Sequence, residues 1–298
     1  MIAPHLRHLW HSSTRTLLAI LMLAAGGLLL LPLSRATYRA QQEQALRLPP
    51  PHISQRDALS QQLAFFILGG LRSLAAEITT LEATRAWLKR DWPQAESLWD
   101  TITTLAPRRE NYWAAASREM ATNAAGDYLS DERMDGHEQA VQVHHYIKSG
   151  ENFLLQGIAN NPDSPLLYAR LGDFYSDLYR RPEFAKAAEA YARAVELGAP
   201  TIYKRMCFYN LCRVKGKDKE ALALGRELFA DPQNHVPAVR TLIFVLQNKL
   251  NLPAAERLSM EQLFHTKERA IRQLRLFRRN TLRYPTYGIE EFLQQNEN

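Results

Sequence analysis

Hydrophobic positions along this chain form two kinds of pattern. The first is a solid block. Thr16 to Ser34 is a 19-residue stretch without a charge, bounded by Arg15 and Arg35. As a helix it would be roughly 28 Å long, which matches the hydrocarbon core of a bilayer. A globular core helix of that length would carry a polar face, and this one shows none before Arg35. The block predicts a single transmembrane helix over 16–34 behind a tail at 1–15. The second pattern is a stripe with helical period. Tyr168, Leu171, Tyr175 and Leu178 recur at i, i+3, i+7 and i+10, and Phe184, Ala187, Ala188, Tyr191, Ala194 and Val195 line a second face. Asn161-Pro162-Asp163-Ser164-Pro165 reads as a helix start, and Gly198-Ala199-Pro200 as a helix stop. Gly172 and Ala187 are the small residues expected where the two helices come closest. No strand-like alternation is seen, so the predicted fold class is all-α.

Tyr168, Leu171, Gly172 and Tyr175, followed by Ala187, Tyr191, Ala194 and Pro200, spell Y-x2-L-G-x2-Y…A-x3-Y…P. This resembles the tetratricopeptide repeat, a helix–turn–helix unit of about 34 residues. Gly172 to Ala187 is 15 residues where that repeat has about 12, and the Arg180-Arg181-Pro182 turn is expected to take up the difference. The bland alternative is a generic amphipathic helix pair. Weaker units flank it: Ala95, Trp99 and Pro107, then Trp113, Ala116 and Met120, then Leu154 and Gly157. Beyond Pro200 come Cys207, Asn210, Ala221, Leu224 and Leu228, and a last pair over 236–264 split near Asn251-Leu252-Pro253. Because one such unit cannot bury a core alone, the expectation is an α-solenoid of four to five hairpins over 63–264. Leu68-Gly69-Gly70-Leu71-Arg72 with Ala75-Ala76, Trp99 and Pro107 also looks like membrane-anchored helical-repeat proteins of bacterial envelopes.

The repeat resemblance implies a partner groove on the first helix of each hairpin. Carried onto this chain, its positions fall on Asn111, Ala114, Arg118 and Ala121, on Leu166, Ala169, Asp173 and Ser176, and on Thr201, Lys204, Phe208 and Leu211. The partner-binding candidates are Asn111, Arg118, Asp173, Ser176, Lys204 and Phe208.

Segments 35–62 and 265–298 complete the plan. The first is a juxtamembrane stretch with the extended spacer Pro49-Pro50-Pro51. Leu63 to Leu71 follows, apolar but too short to span, and reads as a capping core helix or a partner-binding segment. Arg7 and Arg15 on one side of the span against Arg35, Arg39 and Arg47 on the other leave orientation undecided by charge. The short basic N-terminus places the repeats outside the cytoplasm, on the periplasmic side of a single-pass protein. Ser34 and Ala36 keep a cleaved signal open as the alternative.

Charge has a location. The chain carries +6, and residues 267–283 hold seven basic side chains against Glu268, which is the whole of it. This C-terminal helix is expected to cap the solenoid with Ile271, Leu274, Leu276 and Phe277 inward and Arg269, Arg272, Arg275, Arg279 and Arg283 outward. An acidic protein or an anionic lipid surface would fit those arginines, and nucleic acid is not expected.

The sequence carries no recognisable catalytic pattern. The phosphate-loop, dinucleotide, zincin and nucleophile-elbow patterns do not occur. Cys207 and Cys212 read as small buried apolar residues, and His144-His145 as a poor metal pair. Asp127, Asp131, Glu132 and Asp135 lack calcium-loop spacing and read as a solvated insertion. No catalytic residue, metal or cofactor is predicted. The functional expectation is a membrane-tethered adaptor or scaffold for assembling an envelope complex. A permanent structural subunit of a membrane machine is the alternative, and an enzyme with an unrecognised site the third.

Overall fold

The computed structural model describes residues 72–280 and 284–296. Among them every regular element is a helix, and there is no strand. One correction concerns the membrane. Among the described residues no helix is long and apolar enough to cross a bilayer, against the expected fold of a transmembrane helix followed by a solenoid, and those residues are all-helical. The expected span at 16–34, the spacer at 49–51 and the apolar run at 63–71 lie outside the described residues. The expected single-pass placement with periplasmic repeats is contradicted by the same finding. The chain divides into two compact units, one ending at Gly150 and one starting at Glu151.

In the first unit α1 (Arg72–Leu88) packs along α2 (Trp92–Leu105). Asp91 starts α2 by accepting the Gln94 N–H at 3.2 Å, with Pro93 in the first turn. Ala95, Trp99 and Ile102 are buried along α2, as the period predicts, while α1 buries only Ala76, Ala83 and Ala86. Then α3 (Glu110–Arg118) widens into a π-helical turn at Glu119–Ala124 and resumes as α4 (Ala125–Leu129). An extra residue per turn re-aims the helix. The crossing there is tight: a Cβ on Gly150 would lie 2.5 Å from Ala121 Cβ and 2.8 Å from the Ser117 carbonyl oxygen. Gly150 belongs to α5 (Gly136–Asn160), which runs on into the second unit.

The second unit begins with the pair α6 (Pro165–Ser176) and α7 (Phe184–Glu196). Ser164 Oγ accepts the Leu167 N–H at 3.1 Å with Pro165 at the first helical position. Gly198 closes α7 at φ +92°, letting the Ala199 N–H reach Ala194 O at 2.9 Å. The small residue works differently from expectation. Gly172 lies against the ring of Tyr191, since a Cβ there would come within 2.6 Å of it. The long turn is held by Arg180, which stacks 4.9 Å over Phe174 and pairs with Asp177, and by the Glu183 N–H on Tyr175 O at 2.8 Å.

Next come α8 (Thr201–Leu211), α9 (Asp218–Phe229) and α10 (Pro237–Lys249), the last buried from Val239 to Gln247. Each fully buried Leu, Ile or Phe stabilises such a core by about 1.5–3 kcal/mol relative to exposure. The expected hairpin over 236–264 is incomplete. Its second helix, α11, is only Met260–Phe264, ending where His265 turns to φ +68°. Helix α10 packs most extensively on α9 and also meets both α11 and α12 (Lys267–Asn280), which buries Ala270 and Leu274 but leaves Leu276 61% exposed. A short α13 (Ile289–Asn296) follows Gly288, whose φ of +77° seats it against Asn248.

Gly172→Ala forces the Tyr191 ring to move and should destabilise the chain by about 1–3 kcal/mol. Gly126→Ala, on a helix with open space around it, should be neutral or stabilising by up to about 1 kcal/mol. Urea midpoints of the two variants check both signs.

Candidate functional site

Residues proposed for the groove are mostly engaged inside the chain. Phe208 is fully buried and packs on Gly225, where an added Cβ would meet its ring at 2.7 Å. Ala121, Ala169 and Leu211 are also buried. Lys204 Nζ pairs with Glu227 at 2.6 Å, and Arg118 with Glu119 at 3.3 Å. Asn111 is exposed at the start of α3. Asp173 and Ser176 meet at Tyr191. The Tyr191 hydroxyl donates to Asp173 Oδ1 at 2.8 Å, and Ser176 Oγ lies 3.2 Å from the same phenol oxygen. Arg170 occupies the other Asp173 oxygen at 2.9 Å. Burial and the Asp173 charge push the Tyr191 phenol well above its ordinary pKa, so it remains a donor. This network links α6 to α7, and the periodicity of neither helix foretells it.

Arginines collect at the C-terminal end of the second unit. Helix α12 carries Lys267, Arg269, Arg272, Arg275, Arg278 and Arg279 against Glu268. Arg278 pairs with Glu290 of α13 at 2.7 Å. Arg269, Arg272 and Arg279 are exposed and form no ion pair among the described residues, while Arg283 lies outside them. Close to Arg269 sits a residue that charge counting alone does not mark. Arg240, in the first turn of α10, is 5% exposed, and its Nε is buried without a hydrogen-bond partner among the described residues. Burial first, and then the neighbouring Arg269 charge, lower its pKa. Gln273 ties the two helices together one turn away, donating to Pro237 O at 2.6 Å and to Thr241 Oγ1 at 2.9 Å. A buried guanidinium beside a second cation is costly without an anion.

Other polar groups have local tasks. Asp127 accepts Trp92 Nε1 and Arg90, each at 2.7 Å, so it is a tie between α4 and the start of α2 and not part of a solvated insertion. Asp135 caps α5 through the His137 and Glu138 N–H groups. Arg133 holds the half-buried Asp131 carboxyl down at about 2. His145 lies 3.0 Å from Glu96, which also accepts from Ser149. Arg213 stacks 3.7 Å over Tyr284, whose phenol burial pushes up to about 12. Cys207 and Cys212 are free and buried. Desolvation pushes the Cys207 thiol up to about 11 and the Cys212 thiol higher.

No protein-family model matches this sequence, and a search of curated proteins finds no match either.

Phe208→Ala should cost about 3–5 kcal/mol as a core truncation, and Lys204→Ala no more than about 1 kcal/mol as a loss of one ion pair near the surface. Chemical denaturation separates the two. The thiols should stay silent toward an aromatic disulfide reagent at pH 8 until denaturant is added, because the thiolate is the reactive form. Their folded pKa values lie above the ordinary ~8.5. Their stabilising contribution is therefore complete below that pH and declines as pH rises towards 11.

Proposed function

We propose that this chain is a helical-repeat adaptor of the tetratricopeptide type that holds an acidic segment of a partner protein against its basic C-terminal end. The repeat assignment rests on the 168–200 signature and on the α6–α7 pair into which those residues fold, capped by Ser164 and Gly198. The partner assignment rests on one observation: Arg240 is buried beside Arg269 with no counter-ion among the described residues, on a helix packed against α12, which also carries exposed Arg272 and Arg279. Unlike Arg118 and Lys204, these arginines pair with no carboxylate among the described residues. Guanidinium forks pair two-pronged with carboxylates, and desolvated pairs of that kind are the strong ones. Rim arginines would steer an acidic chain inward and make its capture dependent on salt.

Photo-crosslinking in cells with the full chain tests this. Wild type should capture proteins bearing acidic segments, and R269E/R272E/R279E should reduce that capture at least about tenfold while leaving the helical signal unchanged. Capture that survives the triple reversal overturns the acidic-partner reading.

A further inference from the structure

Helix α1 is turned inside out. Its buried residues are alanines, Ala76, Ala83 and Ala86, on the side packed against α2. Its large apolar residues point away: Leu74 is 55% exposed, Ile78 52%, Leu81 63% and Leu88 68%. With Arg85 they step by 4, 3, 4 and 3 residues, the seam of a two-stranded coiled coil. Leucines occupy one core position of that seam, and Ile78 and Arg85 occupy the other. In sequence the same step reaches back to Leu71.

We propose that this face pairs with the same face of a second copy of the chain, the two α1 helices running antiparallel. Charge decides the direction. A parallel pair would stack Arg85 on Arg85 and set Glu77 against Glu82, repulsive at both levels. An antiparallel pair places Ile78 opposite Leu81 and Leu74 opposite Arg85. The Arg85 guanidinium, which has no carboxylate partner among the described residues, then reaches Glu77 of the second copy. Glu77 is exposed, and one of its oxygens already accepts the Tyr112 hydroxyl at 2.7 Å, which leaves the other for that arginine. The contact is isologous, so each side chain pair occurs twice and the assembly closes at two. Its area sets its strength. One helix face of this length supplies roughly half of the ~800 Å² per partner of a standard interface. The pair is therefore concentration-dependent and separates on dilution. This contact involves only the first unit and stands or falls independently of the acidic-partner site in the second.

Full-length protein is followed by sedimentation across a wide concentration range, and its cysteine variants by mild oxidation. The expected result is a reversible monomer–dimer equilibrium, shifted about tenfold towards monomer by R85E and recovered by the double charge exchange E77R/R85E. A mixture of Ile78→Cys and Leu81→Cys chains should form a disulfide-linked heterodimer. Leu88→Cys alone should not crosslink, since antiparallel helices hold those positions roughly 25 Å apart. The buried Cys207 and Cys212 keep the background low. A monomer at all concentrations, meaning that something else covers this face, would overturn the proposal. So would efficient Leu88→Cys crosslinking, which requires a parallel pair. Circular dichroism confirms that each variant, altered at an exposed position, keeps its helices.

Discussion

Small residues at helix crossings set the spacing on which this fold depends. At Gly172 the Tyr191 ring lies where a side chain would be, and at Gly225 the Phe208 ring does the same. At Gly150 the neighbour is Ala121 and the backbone of Ser117, beside the π turn that reshapes α3. In each case the absent Cβ lets a neighbouring ring or helix backbone come close. The benefit is packing at interior density with rings and methyl groups in contact. It also carries information, because a ring seated on a glycine fixes one axial register between two helices. Once Tyr191 is seated, its hydroxyl reaches Asp173 and Ser176 with no further freedom to choose.

Local spacing and helix packing together determine which charges are paired within the chain. Lys204 and Arg118 sit beside carboxylates of their own chain, as do Arg170 and Arg193. Such pairs near the surface contribute little stability, about 0–1 kcal/mol each, but they neutralise the faces on which they lie. Helix α12 is the exception. It has one carboxylate of its own, and α13 supplies Glu290 to Arg278. Seating α12 on α10 buries Ala270 and Leu274 and brings Arg269 up to Arg240. The same packing that completes the second unit thus concentrates positive charge at its end.

How much of this is legible in the sequence follows from the range of each interaction. Ser164 with Pro165, and Gly198, mark helix ends because capping is decided within a few residues. The stripes of α6 and α7 are legible because each helix buries one side. The position of Phe208 is not, because a first-helix pattern assigns it to a groove and only the seating on Gly225 makes it core. Nor is the direction of α1, whose leucine stripe would be read from period alone as its buried side. The π turn at Glu119–Ala124 has no composition of its own and answers to a crossing with Gly150, far along the chain. Arg240 reads as one more surface cation, since burial of a charge depends on neighbours brought in by the fold.

Hydrogen–deuterium exchange on the full chain, with and without the protein it captures, tests the central claim most directly. Binding at the basic end should slow exchange in α12 and the first turn of α10, around Arg240 and residues 267–279. Protection confined to the first helices, around 111–118, 173–176 and 201–208, would contradict it and return the partner to the groove.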